Sequence, residues 1–94
     1  MGKSVPTFRD ELEQIRSEWK KFRKALRSDE REIFDELFRK AKHHASAAQY
    51  QANPDPMESV LIAVLLEQQM EIDRLKRKIG DESRKVDEKV LEDR

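Results

Sequence analysis

Ninety-four residues hold one small domain, and 43% of them are charged, with 20 basic side chains balanced by 20 acidic ones. Zero net charge with 36% apolar residues excludes charge-driven disorder, while two Gly and three Pro exclude an all-β chain, which needs a turn signal roughly every 8–12 residues. The absence of cysteine excludes disulfides, thiol nucleophiles and Cys-type zinc or iron–sulfur sites, and points to a reducing cytoplasm.

The chain opens Met-Gly-Lys-Ser-Val-Pro-Thr, without the apolar stretch of a signal peptide and with Pro6 where a myristoylation site places Ser or Thr. Thr7 followed by Asp10 is a short-acid version of the capping box. Phe8, Leu12, Ile15, Trp19, Phe22 and Leu26 then recur at spacings of four and three, which predicts a first helix over residues 7–27 with Trp19 on its buried stripe.

Continuing that register would bury Asp29 or Glu30, whereas Ser28-Asp29-Glu30 makes a good helix start, with acids at the positive end of the dipole. A break is therefore expected there, with a single long bent helix as the alternative. The second helix spans residues 29–50, with Ile33, Phe34, Leu37, Phe38, Ala41, Ala45 and Ala48 on its apolar side. Tyr50, at its end, reads as a packing residue.

Asn53-Pro54-Asp55-Pro56 is the strongest punctuation in the chain and marks a loop over residues 52–56. It also starts a third helix, 56–79, with Asp55 as N-cap, Pro56 at the first helical position and Glu58 at the third. Gly80 ends or weakens the pattern, so residues 1–80 form the helical domain and residues 81–94 a frayed or disordered charged tail, with a continued helix paired to a partner as the alternative.

The third helix carries the most informative pattern. Val60 to Leu66 is the longest apolar run, far short of the roughly 18 residues of a membrane span, so no membrane role is expected. On a helical wheel its apolar side chains cover about 240°, where a surface helix shows a stripe nearer 100°. One neighbour cannot cover that arc; the first two helices of the same chain could take two sides of it, and a second copy of the third helix is the favoured cover for what remains. The fold class that follows is all-α: a helical hairpin plus a third, coiled-coil-like helix, a three-helix arrangement completed by dimerisation. The expected interface is Leu61, Val64, Leu65, Gln68, Ile72, Leu75 and Ile79, with Gln68 as a buried polar residue of the seam. Glu71 and Lys76 fall where a parallel pair would bring them together, and an antiparallel pair or a larger bundle stays open.

No catalytic, cofactor or metal constellation is found. His43 and His44 are adjacent, point about 100° apart on a continuous helix and lack the i, i+4 spacing of a metal pair, so His44 reads as a half-buried hydrogen-bonding residue. The carboxylates sit mostly on polar helix faces, where spacing alone says solvation. Residues 1–27 hold eight basic and four acidic side chains, and Arg9, Arg16, Lys20, Arg23 and Arg27 form the face that would track a phosphate backbone. An overall pI near 6.8 is well below the value above about 9 typical of nucleic-acid domains, so this reading is not favoured.

Residues 2–9 (Gly-Lys-Ser-Val-Pro-Thr-Phe-Arg), Trp19 with residues 22–26, the stretch 41–45 and residues 65–69 followed by Glu71-Ile72 together resemble a family of small archaeal helical proteins found in methanogens and halophiles, for which no activity is assigned. The resemblance covers roughly residues 2–79 and implies an archaeal cytoplasmic origin. Two functional expectations result: a non-enzymatic interaction or structural module that forms a homodimer through its third helix and meets an unidentified protein partner, or a nucleic-acid-associated accessory protein using the basic first helix.

Overall fold

The computed structural model describes residues 6–92; Met1–Val5, Asp93 and Arg94 lie outside the described residues, and with them the N-terminal segment and the last two tail positions. The described residues are all-α, with five helices: α1 (Phe8–Glu18), α2 (Lys20–Ala25), α3 (Ser28–Lys42), α4 (Ala45–Gln51) and α5 (Pro56–Glu92). The first two predicted helices are thus each divided, and the third is longer than expected.

The start of α1 follows from its cap. The Thr7 hydroxyl accepts from the Asp10 N–H at 3.1 Å, and the Asp10 carboxylate accepts from the Thr7 N–H at 3.0 Å, satisfying two donors that the helix itself cannot pair. The Gln49 side-chain oxygen of α4 accepts from the Phe8 N–H and ties the first turn to the fourth helix.

The division at Trp19 is slight. Its φ of −95° and ψ of 15° leave the α region, yet Trp19 N–H still donates to Ile15 O and Arg23 N–H to Trp19 O, both at 3.1 Å. An apolar stripe predicts a common face but is blind to a one-residue bend, because the spacing survives it. The turn between α2 and α3 is sharper: Leu26 and Arg27 are both extended. Here the Arg31 guanidinium donates to the carbonyls of Arg23 and Lys24, at 3.3 and 3.0 Å, sharing the Arg23 oxygen with the Leu26 N–H. The Arg27 N–H donates to the Glu30 carboxylate at 2.9 Å and begins α3.

His43 and His44 divide α3 from α4, and Ala52 ends α4 in the left-handed region at φ 53°. Asn53 then accepts from the Asp55 N–H at 2.7 Å and Asp55 from the Met57 N–H at 3.0 Å, so the loop caps α5 with Pro56 in its first turn.

The core lies where the first half of α5 crosses the earlier helices. Phe8, Leu12 and Ile15 from α1, Phe34, Phe38 and Ala41 from α3, Ala45 from α4, and Val60 and Ala63 from α5 form one buried cluster. Ala41, Ala45 and Ala63 contribute little area but let helix axes approach, and the two phenylalanines fill the space beside them, with rings 5.2 Å apart.

The helix expected to stop near residue 79 runs through Gly80 to Glu92. A Cβ at Gly80 would meet nothing within 4 Å, so this glycine carries only its propensity cost of about 1 kcal/mol, too little to end a helix whose flanking residues are mostly good helix formers. From Arg74 to Leu91 every described side chain is exposed. The molecule is accordingly elongated, 76 × 34 × 17 Å, with a Cα radius of gyration of 19.5 Å against about 12 Å for a compact chain of this length.

Candidate interaction surface

Helix α5 has two faces of different fate. Val60, Ala63 and Glu67, at spacings of three and four, turn toward α1, α3 and α4 and are buried. About 100° around the helix, Leu61, Leu65, Ile72, Leu75 and Ile79 form a second stripe at spacings that alternate around three and a half residues, and all five are exposed, Leu65 at 59% and Ile79 at 62%. Val64 and Gln68 flank the same stripe and are half-buried, Val64 against the core cluster. Val86 and Val90 extend the stripe along the projecting half of the helix, both exposed. The seven expected interface residues therefore share one side of α5, and the chain covers only its inner edge.

At its N-terminal end the stripe borders a groove of about 250 Å³ lined entirely by apolar side chains. Phe34, Phe38 and Val60 form its floor; Trp19, Phe22, Leu37, Met57, Leu61 and Val64 form its walls. Trp19 is 41% exposed and so is not the core residue expected from its stripe. The bend at position 19 leaves its ring on the surface, edge-on to Phe22 at 5.5 Å, and Phe22 in turn lies 5.5 Å from Phe34. Tyr50 likewise is 92% exposed rather than packed.

On the buried face, Glu67 is the one charged residue in the core among the described residues. Its carboxylate accepts from His44 Nε2 at 3.0 Å and lies 3.6 Å from His43 Nδ1 and 3.5 Å from an Arg74 guanidinium nitrogen. Burial raises its pKa and is the largest single influence. The His44 hydrogen bond, the charge of His43 and the contact with Arg74 together outweigh it, so the group sits below the ordinary carboxylate value. Two adjacent histidines reach one carboxylate because the helix is broken between Lys42 and Ala45, which removes the 100° divergence of a continuous helix. One turn on, the Glu71 carboxylate meets Lys40 Nζ of α3 at 2.6 Å. These pairs lock α5 to the end of α3. Among the described residues no group of three or more His, Cys, Asp or Glu side chains is arranged to hold a metal ion, and no helix is long and apolar enough to cross a membrane.

A family model, domain of unknown function DUF8156, matches residues 1–94. The chain belongs to this family. No curated protein and no solved structure matches it. The DUF8156 assignment carries no activity, so every functional argument rests on the surface itself.

The five basic residues of the nucleic-acid expectation do not stand free as a group. Arg23 is held bidentate by Asp35, at 2.8 and 2.9 Å, and this contact lowers the Asp35 pKa. Arg16 is engaged by Glu13 at 3.0 Å within α1, while Arg9, Lys20 and Arg27 are exposed. Sequence reasoning missed Glu67, although its spacing from Val60 and Ala63 already places it on one face with them. It also missed the groove, which is assembled from three helices and has no signature in any one of them.

Proposed function

We propose that this DUF8156 domain is a non-enzymatic structural or interaction module that self-associates into a homodimer through the exposed face of α5. The observation that carries this is the stripe Leu61, Leu65, Ile72, Leu75 and Ile79, continued by Val86 and Val90, left uncovered along a 37-residue helix. A contiguous apolar surface of this kind marks an interaction site, and its heptad-like spacing suits another helix. A second copy of α5 offers the same spacing. The accessory nucleic-acid reading is weaker, since Arg16 and Arg23 are already engaged by carboxylates. The setting that goes with the proposal is the archaeal cytoplasm implied by the sequence resemblance.

Light scattering at micromolar concentration tests it. The expected mass is twice 11.2 kDa, and Leu65→Lys combined with Leu75→Lys is expected to give a helical monomer. A wild-type monomer overturns the proposal. Retarded migration of DNA or RNA at low salt, lost when Arg16, Lys20 and Arg23 become Glu, would instead favour the nucleic-acid reading.

A further inference from the structure

Resting on the reading that α5 self-associates, we infer that the second copy pairs antiparallel and seats the C-terminal end of its α5 in the aromatic groove beside Trp19 and Phe22. The shape of the molecule is the first ground. Residues 56–73 are backed by the other helices and residues 74–91 project with every side chain exposed, so the supported and projecting halves are equal, each about 27 Å at about 1.5 Å per residue. An antiparallel copy centred between residues 73 and 74 lays each projecting half against the other copy's domain and keeps the two domains at opposite ends. A parallel copy leaves the projecting halves with only each other.

Charge gives the second ground. Residues 56–73 contain four acidic and no basic side chains, whereas residues 74–91 contain seven basic and four acidic ones. Glu67 and Glu71 are paired inside the chain, and the remaining Glu58 and Asp73 still leave the first half acidic. Parallel pairing sets like against like; antiparallel pairing sets acidic against basic. The contact that would favour a parallel pair, Glu71 to Lys76, competes with the existing 2.6 Å contact between Glu71 and Lys40.

The layers along the seam give the third. With the centre between 73 and 74, Ile72 faces Leu75, Leu61 faces Val86, Met57 faces Val90 and Glu58 faces Lys89, leaving Glu82 beside Leu65 and Gln68 beside Ile79 as the two mismatched layers. Parallel pairing stacks Glu82 on Glu82 and Lys89 on Lys89. Val86 and Val90 of the second copy thus meet two of the groove's own walls, Leu61 and Met57.

The chain has no cysteine, so introduced thiols report geometry cleanly. Leu61→Cys and Val86→Cys are made separately in the full chain and oxidised alone and mixed. Antiparallel pairing gives a disulfide-linked dimer only in the mixture, because two copies of position 86 then lie about 37 Å apart at about 1.5 Å per residue, far beyond the roughly 7 Å Cα separation a disulfide spans. Emission from Trp19, the single tryptophan, is expected to shift to the blue on association, and Val86→Asp to remove that shift. A dimer in which each variant cross-links alone, or in which nothing cross-links, overturns the antiparallel docking and leaves self-association standing. A monomeric mass overturns both.

Discussion

Leu12 and Leu65 carry the same side chain in opposite surroundings, and truncating each separates stability within one chain from stability between chains. Leu12 is fully buried, so Leu12→Ala leaves a cavity and costs about 2–5 kcal/mol. In a domain of this size each kcal/mol lowers Tm by roughly 4–8 °C, so a fall of at least about 8 °C is expected at every protein concentration. Leu65 is 59% exposed, and full burial of a leucine is worth about 1.5–3 kcal/mol, so its truncation costs a single copy under about 1 kcal/mol. In the proposed dimer, pairing would cover the remaining area on both copies. Loss of three of the four side-chain carbons from each then costs the dimer about 1.3–2.7 kcal/mol, a tenfold to hundredfold rise in Kd. Thermal melts over a hundredfold concentration range, with sedimentation equilibrium on the same samples, read the two effects separately. The reasoning is refuted if Leu65→Ala lowers Tm as much as Leu12→Ala in dilute solution and leaves the dissociation constant unchanged.

Acid should unfold the domain in part through Glu67 and Asp35. Both carboxyls are lowered from their ordinary values of 4.5 and 3.8, so the unfolded chain binds protons more readily; their stabilisation is complete above those values and is lost as pH falls through the lower folded ones. Glu67→Gln should remove its share and flatten the acid limb of a helicity titration; an acid limb identical to wild type would count against the assignment. Two backbone substitutions test the continuity of α5 and the end of α4. Gly80→Ala should raise helicity and stabilise the chain by about 0.5–1 kcal/mol, since its Cβ meets open space. Ala52→Gly should stabilise by about 1 kcal/mol through relief at φ 53°. No gain in helicity for Gly80→Ala would contradict a continuous α5.

Much of the local structure was legible because it depends on neighbours in the chain. The Thr7–Asp10 cap and the Asp55-Pro56 start are short-range hydrogen bonds and dihedral preferences, and both appear where residue type places them. The apolar identity of Leu12, Ile15, Phe34, Phe38 and Ala41 likewise carried through to the core. What failed were inferences about which apolar residues find cover. Trp19 and Phe22 share the stripe with Leu12 and Ile15 yet stand exposed, because the neighbouring α5 packs through Val60 and Ala63 and leaves an open groove beside them. Gly80 looked like a terminator, and a single glycine does not outweigh the helix formers on both sides.

Sequence alone determined that this chain is helical, where its strongest loop lies, and that the third helix carries more apolar arc than one neighbour can cover. Those properties are periodicity, capping and proline sterics, which act over a few residues. Only the tertiary structure decided which part of that arc is used internally, that two histidines converge on a buried glutamate, and that half of α5 projects uncovered. Burial is settled by how segments distant in sequence cross in space, and the crossing of α5 over α1, α3 and α4 leaves an apolar stripe from Leu61 to Val90 exposed along the DUF8156 domain.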